Sequence, residues 1–495
     1  MTPDDARRRA GSRLWIGIPG PMVDAPTRAL LTELRPGGIV LFGRNIENRA
    51  QVAALIGELR AVCGAALHVA VDQEGGRVVR FTSELTLFPG NAALGAIARR
   101  DLAGAVALAE RQGFASGTEL RAIGIDVNLA PCVDLAPHVE NPGIGDRSFG
   151  ADADAAAALA AALVRGHRRA GVHSTLKHFP GLGAARIDSH FELPIVTEPV
   201  TQRQLAPFRA GIRAGAGLVM TSHARYTAID ADRPATLSPH VIELLRGRLK
   251  FRGLIISDDL EMGAIVRHSS FAEVVHGTLA AGHNALCVST DPELQRVAHA
   301  SAMKWFAKLD DTQAARSDIQ LERLQAEPDH AADGADIARK IAESACAVLR
   351  DPERVVPIAA DARVLLLLPT LKSATLVEDP LRGETLEALA AGFGPRARSL
   401  AYPTEPQPED FARLATAAAA SDVDVLLVAV FRARFSPQRL DLVRQCVEWH
   451  PRVVFLLLGE DGDIVALPTR RPNAVVGAYG FRPVHQLAAV KRLTT

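Results

Sequence analysis

The stretch 251–264, FRGLIISDDLEMGA, passes directly from a β-branched apolar run, Leu254–Ile256, into two adjacent carboxylates, Asp258 and Asp259, and then toward helix. Seven other places in the first 300 residues share this design: Leu14–Ile18, Gly38–Phe42, Leu67–Val71, Ile125–Leu129, Val172–Leu176, Leu218–Met220 and Asn284–Val288. Each is a short apolar run that ends in polar residues or glycine. Between them Ala50–Val62, Ala151–Arg169, Leu205–Ala214 and Pro239–Leu249 carry apolar residues at helical spacing, and Ser238-Pro239 forms a helix start. Eight strands alternating with helices fit an open sheet or a closed barrel. Polar residues follow many different strands, whereas an open sheet gathers them near one switch point, so a (β/α)8 barrel is expected.

Lys304–Ile341 reads as helical and polar, the last barrel helix plus a connection. Beyond it Arg363–Leu368, Val423–Val430, Val453–Leu458 and Ala474–Ala478 are continuous apolar runs, as strands buried on both faces require. AYPTEPQPED, 401–410, reads as a proline-rich loop. The expectation is a barrel over 1–310, a connection over 311–340, and a smaller α/β/α sandwich of four or five strands over 341–495. A chain of 495 residues exceeds what one core normally supports, which agrees with two domains.

Lysine plus arginine and aspartate plus glutamate both number 56, so the formal net charge is zero. That balance gives no long-range attraction to nucleic acid or to an anionic membrane. No apolar stretch of signal length precedes Pro19, and no apolar run approaches a membrane span. Five scattered cysteines, none at metal-ligand spacing, read as free thiols in a reducing compartment. A soluble, cytoplasmic protein is expected; the oligomeric state is left open.

Charged and polar groups at the ends of separate strands converge on one barrel mouth: Asp72, Asn128, Lys177, His178, Ser222, His223, Asp258 and Asp259. Structural readings stand beside the functional ones. Asp258 or Asp259 suits a helix cap, Lys177 and Asp72 an ion pair, His178 a satisfied core histidine and Asn128 a packing residue; His68, His167 and His173 read as structural. A metal set drawn from His68, Asp72, His178, His223 and Asp258 lacks the H-x-H pair such barrels start from. Neither GGRVVRF nor FPGLG matches a phosphate loop. Asp188 and His190, two apart in a long loop, can touch. The carboxylate then fixes the ring tautomer and raises its basicity; a surface turn with two unrelated polar residues is the alternative.

GGIVLFGRNIEN (37–48), VDQEGGRVVRF (71–81), IDVNLAPCVDL (125–135), GDRSFG (145–150), LKHFPGLG (176–183), DSH (188–190), VMTSHARY (219–226) and ISDDLEMGA (256–264) occur in family order. In them the chain resembles family 3 glycoside hydrolases, most closely the β-N-acetylhexosaminidase branch. AESACAVLRDP (342–352) and GAYGFRP (477–483) resemble, more loosely, the family's second domain. The resemblance implies Asp258 as nucleophile, His190 as acid/base with Asp188 as its orienting partner, and Asp72, Arg80, Arg147, Lys177 and His178 as sugar-binding residues.

It also implies a retaining exo-β-N-acetylglucosaminidase acting on an N-acetylglucosamine-containing glycoside or muropeptide. Nothing in that chemistry calls for a metal or an organic cofactor. A β-glucosidase or β-xylosidase of the same family, a phosphorolytic relative and a non-catalytic sugar-binding homologue remain alternatives. Where the family usually reads KHFPGHGD, this chain reads KHFPGLGA, so Leu182 and Ala184 replace polar residues. Altered specificity or rate is the expected consequence.

Overall fold

The computed structural model describes residues 2–495 except 137–140, 142, 186, 188–191, 267–268, 311, 315–317, 320, 328–332, 374–377, 379–384 and 470. All eight apolar runs are strands of one closed parallel barrel. They are β1 Leu14–Ile16, β2 Gly38–Leu41, β3 His68–Val71, β4 Val127–Asn128, β5 His173–Phe179, β6 Leu218–Thr221, β7 Leu254–Asp259 and β8 Ala285–Val288, with β8 closing on β1. The two-residue period of a strand sorts their side chains. Trp15, Val40, Ala70, Val127, Leu218, Met220, Leu254, Ile256 and Cys287 fill the interior. Their neighbours Leu14, Ile16, Ile39, Leu41, Val69, Val71 and Leu286 pack outward under the helices. Burial on both sides explains why the runs are continuous rather than alternating.

The helices start where the sequence signals them. Ser238 accepts the Val241 N–H with Pro239 at the first helical position, and Asp152 caps the helix Ala153–Arg169. The helix Pro239–Glu243 passes into a wider π-turn over Leu244–Arg248. The region read as helical from Lys304 to Ile341 has helix at its ends, through Phe306 and from Gly334, while 321–327 is irregular. That segment serves the foot of the barrel: Arg323 bonds Asp126 at 3.1 Å and the Leu67 carbonyl at 2.9 Å, and the Glu322 carbonyl lies 2.7 Å from His173 Nε2. Contacts of this kind are invisible to helical spacing.

The second unit is a six-stranded sheet: β9 Ala347–Arg350, β10 Val364–Pro369, β11 Ala397–Tyr402, β12 Val425–Val430, β13 Val453–Leu457 and β14 Ala474–Gly477. Its order is β9-β14-β13-β12-β10-β11, and only β9 is antiparallel to its neighbour. Alternate residues of the central strands enter two cores. Leu366, Leu427 and Leu456 face Leu389, Phe393 and Leu493, while Leu365, Leu426 and Phe455 face Leu414, Leu442 and Val443.

Two strands exceed the four apolar runs read from the sequence. Both β9 and β11 are edge strands with half-exposed residues, so they lack a continuous apolar signature. The stretch 401–410 is correspondingly a strand end and a helix start, since β11 runs to Tyr402 and a helix begins at Pro408. Its loop is confined to 403–407. Among the described residues no helix is long and apolar enough to cross a membrane.

Candidate active site

The carboxyl end of β3 begins the site. After Asp72 the chain makes a tight hairpin, Gln73–Gly75 pairing antiparallel with Val78–Val79. Gly75 turns it with φ +93°, and a Cβ there would stand 2.8 Å from the Pro89 carbonyl oxygen, so only glycine fits. Gln73 fastens the hairpin, its Oε1 accepting the N–H groups of Arg80 at 2.9 Å and Phe81 at 3.1 Å. Asn128 holds Gln73 in turn: its Oδ1 accepts Gln73 N–H at 3.1 Å and its Nδ2 donates to the Gln73 carbonyl at 3.0 Å. Asn128 is thus a clamp beneath the site. The hairpin returns Arg80 to Asp72, with Nη2 3.2 Å from Oδ2.

Lys177, from β5, is 2% exposed and sits between two carboxylates, 2.6 Å from Asp72 Oδ1 and 2.6 Å from Glu74 Oε1. Glu74 also takes Arg147 in a fork, Nε at 2.9 Å and Nη2 at 2.8 Å. Burial alone would raise the Glu74 carboxyl, but Arg147 and Lys177 outweigh it and hold the group well below the usual carboxylate range. Asp72 is likewise lowered, against its burial, by Lys177 and Arg80. Lys177 and Arg147 are raised by their acidic partners despite burial. All four therefore stay ionised across neutral pH, forming a ladder of alternating charge.

His178 completes this wall. Its Nδ1 lies 2.7 Å from Asp134 Oδ2, which also accepts the His178 backbone N–H at 3.0 Å. Asp134 already accepts backbone N–H groups on both oxygens, which makes Nδ1 the donor of this pair, and Nε2 lies 3.5 Å from Arg147 Nη2. Asp134 Oδ1 accepts the Leu182 N–H at 2.6 Å, and Cys132 Sγ donates to Oδ2 at 3.4 Å. Among the described residues only Cys132, Asp134 and His178 bring three possible metal-ligand atoms within 4.8 Å of one another. These hydrogen bonds already join them, and burial, with Asp134 beside it, pushes the Cys132 thiol well above its ordinary range.

Asp258 is the penultimate residue of β7, half-buried, with Oδ1 accepting the Asp259 N–H at 2.9 Å. Asp259 turns into the following segment: its Oδ1 accepts the Glu261 N–H at 3.1 Å and its other oxygen receives the Ser289 hydroxyl. Burial, with Glu261 nearby, pushes Asp259 up to about 7. Asp72 directly follows β3 and Asp258 lies near the end of β7, both at the carboxyl ends of strands of one closed parallel barrel, so they share its mouth. His223 is fully buried between Thr236 Oγ1 at 2.7 Å and the Asp259 carbonyl at 2.8 Å, and Ser222 pairs with Tyr226. His223 thereby ties the end of β6 to β7. His167 lies between Ser116 and Ser174, at 3.1 Å and 2.9 Å, and His68 stacks on Trp15.

Five expected sugar-site residues, Asp72, Arg80, Arg147, Lys177 and His178, are therefore joined in one hydrogen-bonded wall. Asp188 and His190 lie outside the described residues. Their loop leaves the barrel through buried Leu182 and Ala184, and Gly183 passes so close to Leu135 that a Cβ would be 1.5 Å from its carbonyl oxygen. The two departures from the family pattern thus pack into the loop's stem. Glu74 and Asp134 were missed by the sequence reading. Glu74 sits inside the quoted VDQEGG, and Asp134 follows Val133 near the end of the IDVNLAPCVDL run, as Asp72 follows Val71.

Residues 16–325 match the glycosyl hydrolase family 3 N-terminal domain. A β-hexosaminidase of Xylella fastidiosa strain 9a5c is 41% identical over 285 residues, which are 57% of this chain and 84% of that protein. The structure of a family 3 β-N-acetylglucosaminidase from Paenibacillus sp. strain FPU-7 superposes with a TM-score of 0.89 at 30% identity, covering 99% of this chain and 96% of that one. NagZ from Neisseria gonorrhoeae, solved with N-trifluoroacetyl-D-glucosamine, gives a TM-score of 0.58 at 31% identity over 67% of this chain and 93% of its own. The similarity to the Paenibacillus enzyme spans both the barrel and the second sheet. With its barrel, its strand-end carboxylates and these relatives, this chain belongs to glycoside hydrolase family 3.

Proposed function

We propose that the chain is a retaining exo-β-N-acetylglucosaminidase that removes a terminal N-acetylhexosamine. The observation that carries the reading is the union of a half-buried strand-end carboxylate, Asp258, with a wall of ionised donors and acceptors at the same barrel mouth. Asp258 attacks the anomeric carbon, the bond to the aglycone oxygen breaks, and His190 gives that oxygen its proton. His190 then takes a proton from water, whose oxygen attacks the anomeric carbon and releases Asp258. Asp188 orients His190. Asp72, Arg80, Arg147, Lys177 and His178 bind the ring hydroxyls, with the charged groups fixed in advance by one another. Support for His190 is its spacing from Asp188 in the sequence and the family to which the chain belongs.

The substrate class assigned is an N-acetylglucosamine-ended glycoside, such as a muropeptide in peptidoglycan recycling or a chitin fragment. A cytoplasmic location accords with five free thiols, four of them buried. The domain division assigned is a barrel over 1–310, a connection over 311–340 and a sandwich over 341–495. The test is a panel of chromogenic glycosides on wild type and Asp258→Ala. Turnover of the β-N-acetylglucosaminide by wild type and none by the variant is expected. Preferential turnover of β-glucosides or β-xylosides, or sugar binding without turnover of any glycoside, would overturn the reading.

A further inference from the structure

The charge ladder of the barrel mouth continues into the second domain. Arg77, in the hairpin after Asp72, is 2% exposed and donates in several directions. Its Nη2 bonds the carbonyls of Gly143 at 3.0 Å and Ile144 at 3.1 Å, its Nε bonds the Asp146 carboxylate, and its Nη1 bonds Glu378. Glu378 belongs to the second domain, has a fully buried carboxylate, and also accepts Arg432 Nη1 at 3.1 Å. The segment that Arg77 grips runs straight into Arg147, and both guanidinium groups share the Gly143 carbonyl, Arg147 Nη1 at 2.9 Å. A second contact seats the domain on the same segment. Glu460 lies where a Cβ on Gly145, at φ +45°, would be 3.2 Å from its Oε1.

We infer that Glu378 is a positioning residue of the sugar site, acting from the second domain through Arg77 to hold 143–147 and thereby keep Arg147 on Glu74. The inference rests on the reading of Arg147 and Lys177 as sugar-site residues. Glu378 is the anion between two buried guanidinium groups, Arg77 and Arg432. Without it Asp146 remains on Arg77 Nε, but the anion lying directly between the two guanidinium groups is gone, and they repel in a low-dielectric interface. Burial and the neighbouring Arg77 already push Arg432 down to about 10. Arg77 would turn away from Arg432, its grip on the Gly143 and Ile144 carbonyls would loosen, and Arg147 would shift on Glu74. Displacement of a binding group by about 1 Å costs on the order of 100-fold in rate even when it originates far from the chemistry.

The test uses the full chain with a chromogenic β-N-acetylglucosaminide, measuring kcat, KM and Tm for Glu378→Ala, Glu378→Gln, Arg77→Ala and the double variant. Glu378→Ala is expected to lower kcat/KM by about 10- to 100-fold, chiefly by raising KM. Glu378→Gln keeps the shape and one acceptor oxygen, and should recover part of the loss. The double variant should be no worse than Arg77→Ala, because the two residues act in series. A lowered Tm with wild-type kcat and KM, or losses that add in the double variant, would overturn the inference. Should Glu378→Ala fail to fold, Glu378→Gln combined with Arg77→Lys supplies the same comparison. Wild type without turnover would refute the functional reading first; wild-type turnover that the Glu378 variants leave unchanged would refute this inference alone.

Discussion

Replacing Glu74 by glutamine removes one charge from the middle of the ladder while keeping its shape. The carboxylate accepts from Lys177 Nζ at 2.6 Å and Arg147 Nη2 at 2.8 Å on Oε1, and from Arg147 Nε at 2.9 Å on Oε2. With the amide oxygen at the first position, two of these bonds persist as weaker ones to a neutral acceptor. The amide NH2 then opposes Arg147 Nε–H, donor against donor. Removing one partner of a buried ion pair costs about 3–5 kcal/mol, and the two surviving bonds put this case near the lower end, about 3 kcal/mol. For a large domain that is a fall in Tm of roughly 6–12 °C. Lys177 and Arg147 both lose their common anion, so a similar free energy reaches the site, where each 1.36 kcal/mol is about tenfold. Thermal unfolding and steady-state kinetics on a chromogenic N-acetylglucosaminide should therefore show the lower Tm and a kcat/KM reduced by about 100-fold. A variant within about 2 °C and threefold of wild type would refute the assignment of Glu74 as the shared counter-ion.

Three further outcomes follow from single contacts. Burial pushes Asp259 up to about 7 in the folded chain against about 3.9 unfolded, so folding takes up a proton between those values and its contribution falls as pH rises from about 4 to 7. Asp259→Asn should thus gain in Tm relative to wild type between pH 5 and 8, and parallel curves would contradict this. Gly183→Ala, which sets a methyl group 1.5 Å from the Leu135 oxygen, should lower Tm by several degrees or prevent folding, as read by circular dichroism. Asp134→Ala frees the His178 ring and the Leu182 N–H together, and kcat/KM should drop by roughly 10- to 100-fold, the range for lost supports of a site histidine; unchanged kinetics would remove Asp134 from the account.

How much of this was legible in the sequence depends on which forces act locally. The barrel strands were legible because burial on both faces leaves an unbroken apolar run, and Asp72, Lys177 and Asp258 because a charge at the end of such a run has few other uses. Strands β9 and β11 escaped because edge strands carry polar residues like Arg350 and Arg398. Glu74 and Asp134 lie inside quoted motifs, yet nothing in their spacing says which cation each meets; Arg147 reaches Glu74 across 73 positions of sequence. Glu378 is further still, 301 positions from Arg77, and only the docking of the second sheet on the barrel brings them together. That Leu182 and Ala184 replace polar residues was legible, but not that both are buried in the stem of the loop.

The central claim is hydrolysis of a β-N-acetylglucosaminide through a covalent intermediate on Asp258. Its most direct test is proton NMR of the wild-type reaction on an aryl β-N-acetylglucosaminide, following the anomeric signal of the first sugar released before mutarotation. The β-anomer of N-acetylglucosamine is expected to form first, as two successive displacements require. Release of the α-anomer first would mean a single displacement and would contradict it.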